Sequence, residues 1–97
     1  MVTVGMYYDV VPGKNKEFEE KFFEVLELMK SIPGHRQSFL YRRVDDPNSY
    51  AIISEWESEE AFRRFLASDE FRSTTQWGRE QILQGRPRHH VYTRTSD

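Results

Sequence analysis

The chain has 97 residues, no cysteine, 14 Lys and Arg against 16 Asp and Glu, and 14% aromatic residues. That length fits one domain spanning 1–97, and the slightly acidic balance gives no electrostatic case for nucleic acid or an anionic membrane as partner. Without cysteine, disulfides, thiolate nucleophiles and Cys-ligated zinc or iron–sulfur sites are excluded.

From the N-terminus, Val2 to Val11 is β-rich. Val2, Val4, Met6, Tyr8 and Val10 share one face of this strand, and Thr3, Gly5, Tyr7, Asp9 and Val11 share the other. The stretch lacks a basic n-region and reads as a strand rather than a signal peptide. Pro12-Gly13 ends it. From Asn15 to Ile32 the pattern is helical: Phe18, Phe22, Val25, Met29 and Ile32 recur at spacings of four and three, and Phe23, Leu26 and Leu28 widen the stripe. Pro33-Gly34 stops that helix.

A second strand runs from His35 to Val44, with Phe39, Tyr41 and Arg43 opposite Ser38, Leu40 and Arg42. The turn cluster Asp45 to Ser49 leads into a third strand, Tyr50 to Glu57, hairpinned to the second. Ser58 fits a helix N-cap, with Glu59 and Glu60 in the first turn where negative charge suits the dipole. Ala61, Phe62, Phe65 and Leu66 then share one helical face, with Arg63 and Arg64 opposite. Ser68-Asp69 interrupts this helix. A second helical piece is expected from Glu70 to Gln84, with Gly85 at its C′ position and Arg86-Pro87 ending it. Arg88 to Thr95 reads as a last strand. No apolar run approaches the ~18 residues a membrane helix needs, so a soluble, cytoplasmic protein is expected.

The order β-α-β-β-α-β is the ferredoxin-like, split-βαβ pattern of the α+β class: an antiparallel sheet with its helices on one face. A domain of this size buries only about 60–65% of its unfolded surface. Its second sheet face is too apolar to stay bare, so a homodimer that pairs the two sheets is expected.

A strand ending in Glu55-Trp56-Glu57-Ser58, followed by Glu60-Ala61-Phe62 and a Ser68-x-x-Phe71 closure, resembles the antibiotic biosynthesis monooxygenase domain. Pro33-Gly34 after a long first helix fits the same family. The resemblance covers nearly the whole chain in element order. It implies a dimeric α+β barrel and, as one activity among several in the family, cofactor-independent oxygenation of a small aromatic quinol- or anthrone-like molecule. Where haem-degrading members carry Asn, Trp and His, this chain has Met6, Phe65 and Thr75, so that mechanism is not expected. Of the anthrone-oxidising pattern, Tyr41 and Trp56 match, while Ile52 and Phe62 replace an Asn and a Tyr. Those replacements keep open a second reading, a non-catalytic dimeric ligand-binding or structural module of the same fold.

Oxygenation driven by the substrate's own electrons requires a base, one or two hydrogen-bond donors and an apolar aromatic pocket. Tyr41 is a candidate donor or proton relay, and His35 and His90 are candidate bases, with His89 as the alternative on the last strand. Trp56, Phe62, Phe65, Ile52, Tyr7 and Tyr92 are candidate walls of the substrate pocket. His89 and His90, as strand neighbours, point to opposite faces and cannot grip one metal together. No metal or cofactor motif is present, and none is expected to be used. Haem binding without degradation would require His35, His89 or His90 as its ligand.

Overall fold

Strand alternation and helical periodicity resolve into seven elements. The computed structural model describes residues 1–94, with β1 (Val2–Asp9), α1 (Asn15–Lys30), β2 (His35–Arg42), β3 (Ser49–Trp56), α2 (Glu59–Leu66), α3 (Asp69–Gln81) and β4 (Arg88–Thr93). The four strands form one antiparallel sheet in the order β2-β3-β1-β4, and the helices cover one face of it. This is the ferredoxin-like α+β arrangement expected from the element order.

Register explains which face is covered. Val2, Val4 and Met6 of β1 lie opposite Trp56, Ser54 and Ile52 of β3. All six are buried, and the apolar members pack with Phe22 and Met29 of α1 and Phe62 and Phe65 of α2. Phe18, Tyr50, Val10 and Ile82 form a second cluster beside the first. In α1 the buried residues are Phe18, Phe22 and Met29. Phe23 does not widen the stripe as expected. It sits about 100° around the helix from Phe22 and is 60% exposed.

Both short helices are capped by serine. Ser58 Oγ accepts from the Ala61 N–H at 3.1 Å, and Ser68 Oγ accepts from the Phe71 N–H at 3.2 Å. Each cap satisfies an otherwise orphan donor. The serine at 68 therefore starts α3 one residue earlier than the periodicity suggests. Gly34 adopts φ +94°, and a Cβ there would collide with the Cβ of Ala61. Glycine at this turn thus lets α2 lie against the entrance to β2. The Glu57 N–H, donating to the Gly34 carbonyl at 2.7 Å, holds the two together.

Several boundaries differ from the sequence reading: α1 ends at Lys30 rather than Ile32, β2 ends at Arg42 rather than Val44, and β3 runs from Ser49 to Trp56 rather than from Tyr50 to Glu57. Val10 and Val11 leave β1, because the Val10 N–H donates to Asn48 O and the Val11 N–H to Ile82 O, each at 2.8 Å. α3 ends at Gln81 rather than Gln84, since Ile82 to Gln84 turn to pair with this same stretch: Gln84 N–H donates to Asp9 O at 2.7 Å, and Val10 bridges Leu83. Gly85, at φ +76°, consequently serves the turn after that segment and is not the helix C′ residue. β4 ends at Thr93, and Thr95, expected in that strand, lies outside the described residues. No helix among the described residues is long and apolar enough to cross a membrane.

Candidate functional site

Between α1, α3 and the covered face of the sheet lies an apolar cavity of about 60 Å³. Met6 and Tyr8 come from β1, Ile52 from β3, Phe18, Phe22, Val25 and Met29 from α1, and Phe65 from α2. Phe71, Trp77 and Gly78 of α3 close it together with Ile82, Leu83 and Pro87. Lys21 Nζ stands 5.0 Å from the centre of the Trp77 ring, and this cation–π contact ties α1 to α3 at the cavity's edge. An apolar cavity of ~150 Å³ accepts benzene, so this one alone is too small for an aromatic ligand.

The cavity continues outward. Met6, Tyr8, Phe71, Thr75 and Pro87 line both it and an open groove of about 460 Å³ between α3 and β4. Leu66, Arg79, Arg86, Arg88 and His89 complete the groove. Ligand pockets typically measure ~300–1,000 Å³, so the groove is the ligand-sized compartment and the cavity its apolar end.

Tyr8 sits where the two meet. Its ring packs on Phe18 with centroids 5.4 Å apart, and its hydroxyl is largely removed from water. Burial pushes its pKa up to about 12, which keeps it a neutral phenol near pH 7. Among the described residues, its hydroxyl finds only the Met6 sulfur, at 3.7 Å. Thioether sulfur is a weak acceptor. Tyr8 is therefore a hydrogen-bond donor with spare capacity on an otherwise apolar wall.

The structure distributes the residues singled out in the sequence among five places. Ile52 and Phe65 line the cavity. Trp56 and Phe62 are buried in the core beside it, their centroids 5.8 Å apart, and line neither compartment. The Trp56 indole N–H has no partner among the described residues.

Tyr41, Tyr7, Tyr92 and His90 share the uncovered face of the sheet, since Tyr41 and Tyr7 both lie opposite Ala51, and His90 lies opposite Gly5. Tyr41 is 55% exposed. The expectation that it shares a pocket with Phe65 is thus corrected: strand alternation puts it on the other side of the sheet. Tyr7 and Tyr92 join hydroxyls at 3.2 Å, and the His90 ring lies 6.1 Å from Tyr7 and 6.3 Å from Tyr92. The Tyr7 pKa is raised, first by the hydrogen bond with Tyr92 and then by burial.

His35 lies apart from both groups. A β-bulge at Arg36 lets His35 pair with Trp56 and Gln37 with Glu55. The extra residue changes the phase of β2, so His35 and Ser38 face the same side. His35 Nε2 then meets Ser38 Oγ at 2.7 Å, and Ser38 Oγ meets Ser54 Oγ at 2.7 Å. Burial against Trp56, centroids 5.0 Å apart, lowers the His35 pKa below its usual value. His89, by contrast, points to the covered side, with its ring 5.6 Å from Phe62 at the groove.

Sequence reasoning did not single out Tyr8, Phe71, Thr75, Trp77 or Arg79 as parts of one site. A signal for Tyr8 was present, because it shares the wholly apolar face of β1 with Val4 and Met6, the face a helical layer covers. Among the described residues, no group of three or more His, Asp or Glu is placed to hold a metal.

Residues 1–77 match the family described as antibiotic biosynthesis monooxygenase. The chain is 42% identical over 87 residues, 90% of its length, to a protein of Haloarcula marismortui named "putative heme-binding protein", and it spans only 13% of that relative's length. It is 38% identical over 61 residues, 63% of this chain and 52% of the relative, to deoxynogalonate monooxygenase of Streptomyces nogalater. Its structure is similar to that of SnoaB, a cofactor-independent oxygenase from Streptomyces nogalater. The TM-score is 0.84 at 29% identity, covering 99% of this chain and 94% of the other.

Proposed function

Because the chain belongs to the antibiotic biosynthesis monooxygenase family, we propose that it oxygenates a small aromatic quinol- or anthrone-like substrate without a bound cofactor. The observation that carries this reading is Tyr8, a neutral phenol with no strong internal acceptor, at the junction of an apolar cavity and a ligand-sized groove. The similarity to a cofactor-independent oxygenase over nearly the full chain supports it.

In this reading the aromatic body lies in the groove with one edge in the cavity, against Ile52 and Phe65. The Tyr8 hydroxyl donates to a substrate oxygen and stabilises the enolate or phenolate that forms on deprotonation. His89, at the groove, accepts the proton. For an anthrone, the ring methylene is oxidised to a carbonyl by four electrons. Dioxygen accepts them, one oxygen atom becoming the carbonyl oxygen and the other leaving as water. The test is dioxygen uptake by chelator-treated protein with a panel of hydroquinones and anthrones. Uptake well above a heat-killed control is expected, falling at least tenfold in Tyr8→Phe and in His89→Gln. Uptake unchanged in both variants refutes this assignment.

The name of the Haloarcula relative favours a second reading, a non-catalytic module that binds haem. His35 is engaged with Ser38, and His90 lies on the uncovered face. His89 is therefore the imidazole that lines the groove, beside three guanidinium groups suited to propionates. A sharp Soret shift on adding hemin, lost in His89→Ala, would favour this reading over the first.

In either case the uncovered face is proposed to pair with a second copy. Phe39 is 50%, Tyr41 55% and Tyr92 48% exposed on the face the helices leave uncovered, apolar surface that a second copy would bury. A monomer by light scattering at micromolar concentration would rule this out.

A further inference from the structure

Resting on the oxygenase reading, we infer that the substrate is an aromatic acid, whose carboxylate is held by Arg79 and Arg86 while its ring enters the apolar end of the site. The groove is lined by three arginines and a histidine, and by no Asp or Glu. In a chain with more acidic than basic residues, that segregation is local. Elsewhere Arg36 meets Glu57, Arg43 meets Asp45 and Arg63 meets Glu59, while Arg42, Arg64 and Arg72 on the open surface make no ion pair among the described residues. Arg79 and Arg86 make no ion pair among the described residues.

Arg79 lies in the last turn of α3, where a cation suits the helix dipole. That does not account for Arg86, which belongs to no helix. Arg86 precedes Pro87, whose side chain lines both cavity and groove, so its backbone is anchored at the point where the two compartments join. Arg88 also lines the groove, but its register opposite Tyr7 roots it on the uncovered side of β4, at the groove's rim. Two guanidinium groups at the mouth and an apolar cavity beyond match a planar molecule with one anionic edge. Guanidinium binds carboxylate through two parallel hydrogen bonds, which also fixes the orientation of the ring.

The experiment compares 1,4-dihydroxy-2-naphthoate with 1,4-dihydroxynaphthalene, which differ by the carboxylate. Binding is read anaerobically by tryptophan fluorescence, since Trp77 lines the cavity. The acid is expected to bind at least tenfold more tightly, with an advantage that shrinks as salt rises. In Arg79→Gln/Arg86→Gln the ratio of the two dissociation constants should fall to about one, and in the double Glu variant it should invert. Arg63→Gln, on the outer face of α2, should leave the ratio as it was.

Equal affinities for the two probes, no binding of either at millimolar concentration, or an acid preference that survives the double variant would overturn the inference. Admitting air separates the two claims. Selective binding without dioxygen uptake would refute the oxygenase reading and keep the anion site, whereas uptake without selectivity would do the reverse.

Discussion

Tyr7 and Tyr8 are chain neighbours of one residue type, and so are His89 and His90, yet the two faces of the sheet treat them differently. On the covered face, Tyr8 is pushed up to about 12 by burial and, among the described residues, has only a thioether for a partner. On the uncovered face, Tyr7 is raised first by its bond to Tyr92 and keeps part of its ring in water. His89 meets Phe62 at the groove, while His90 lies among the tyrosines of the open side. Residue type alone therefore says little about chemistry in this fold. The layer that covers a strand decides which of two identical side chains is a candidate for it.

The largest expected effect tests that difference in packing. Trp56 is fully buried against Phe62 and Phe65, and Trp56→Ala should cost about 3–5 kcal/mol. Phe39→Ala, on the open face, should change the stability of the isolated subunit by no more than about 0.5 kcal/mol. In a dimer, Phe39→Ala would instead act through protein concentration. Urea unfolding at two concentrations reads both, and equal losses for the two variants would break the comparison.

Glycine gives the next contrast. Gly34→Ala places a side chain at φ +94° and against Ala61, and should cost roughly 1–3 kcal/mol. For Gly5→Ala the nearest atoms all belong to the Tyr7 side chain, its hydroxyl first, on the open side. That far end of a side chain can swing away, so the loss should be clearly smaller. Thermal melts of the two variants decide the matter.

Which parts of this were legible in the sequence follows from the range of the interactions. The strands, the long helix and the Ser58 cap depend on local pattern, and all are found where expected to within a few residues. The departures come from partners distant in sequence. Val10 is drawn off its strand by Asn48 and Leu83, and α3 is cut short by Asp9. The bulge at Arg36 carries no local marker, yet it determines which way His35 points. The site was harder still. Alternation separates Tyr41 from Tyr8, but choosing between them requires knowing which face the helices cover. The mouth joins Arg79 and Arg86 to Met6 and Tyr8 across most of the chain, and no spacing rule reaches that far.

A hydrogen bond from Tyr8 to a bound ring oxygen is the third contrast. Tyr8→Phe should weaken 1,4-dihydroxynaphthalene binding by up to about tenfold, the equivalent of a hydrogen bond worth ~0.5–1.5 kcal/mol. Tyr7→Phe should leave that affinity within about twofold, as its hydroxyl bonds to Tyr92 on the other face. Anaerobic fluorescence titration measures both, and a larger effect from Tyr7→Phe would move the site to the open side.

The smallest expected effect concerns protons. Burial lowers the His35 pKa, whereas the unfolded chain binds a proton at this position with the ordinary value of ~6.5. As pH falls through that value the unfolded state takes up the proton first, so unfolding becomes easier. The contribution is fully present above the unfolded pKa and is lost as pH drops toward the lower folded value. Stability should therefore decline below about pH 6.5, before the carboxylates titrate. His35→Gln should flatten the slope between pH 6.5 and 5.5, and His90→Gln on the open face should leave it in place. Urea midpoints measured across that interval make the comparison. Equal slopes in the two variants would mean that the Trp56 and Ser38 surroundings do not distinguish His35 from a surface imidazole, and that packing on the covered face is looser than the 2.7 Å Ser38 contact indicates.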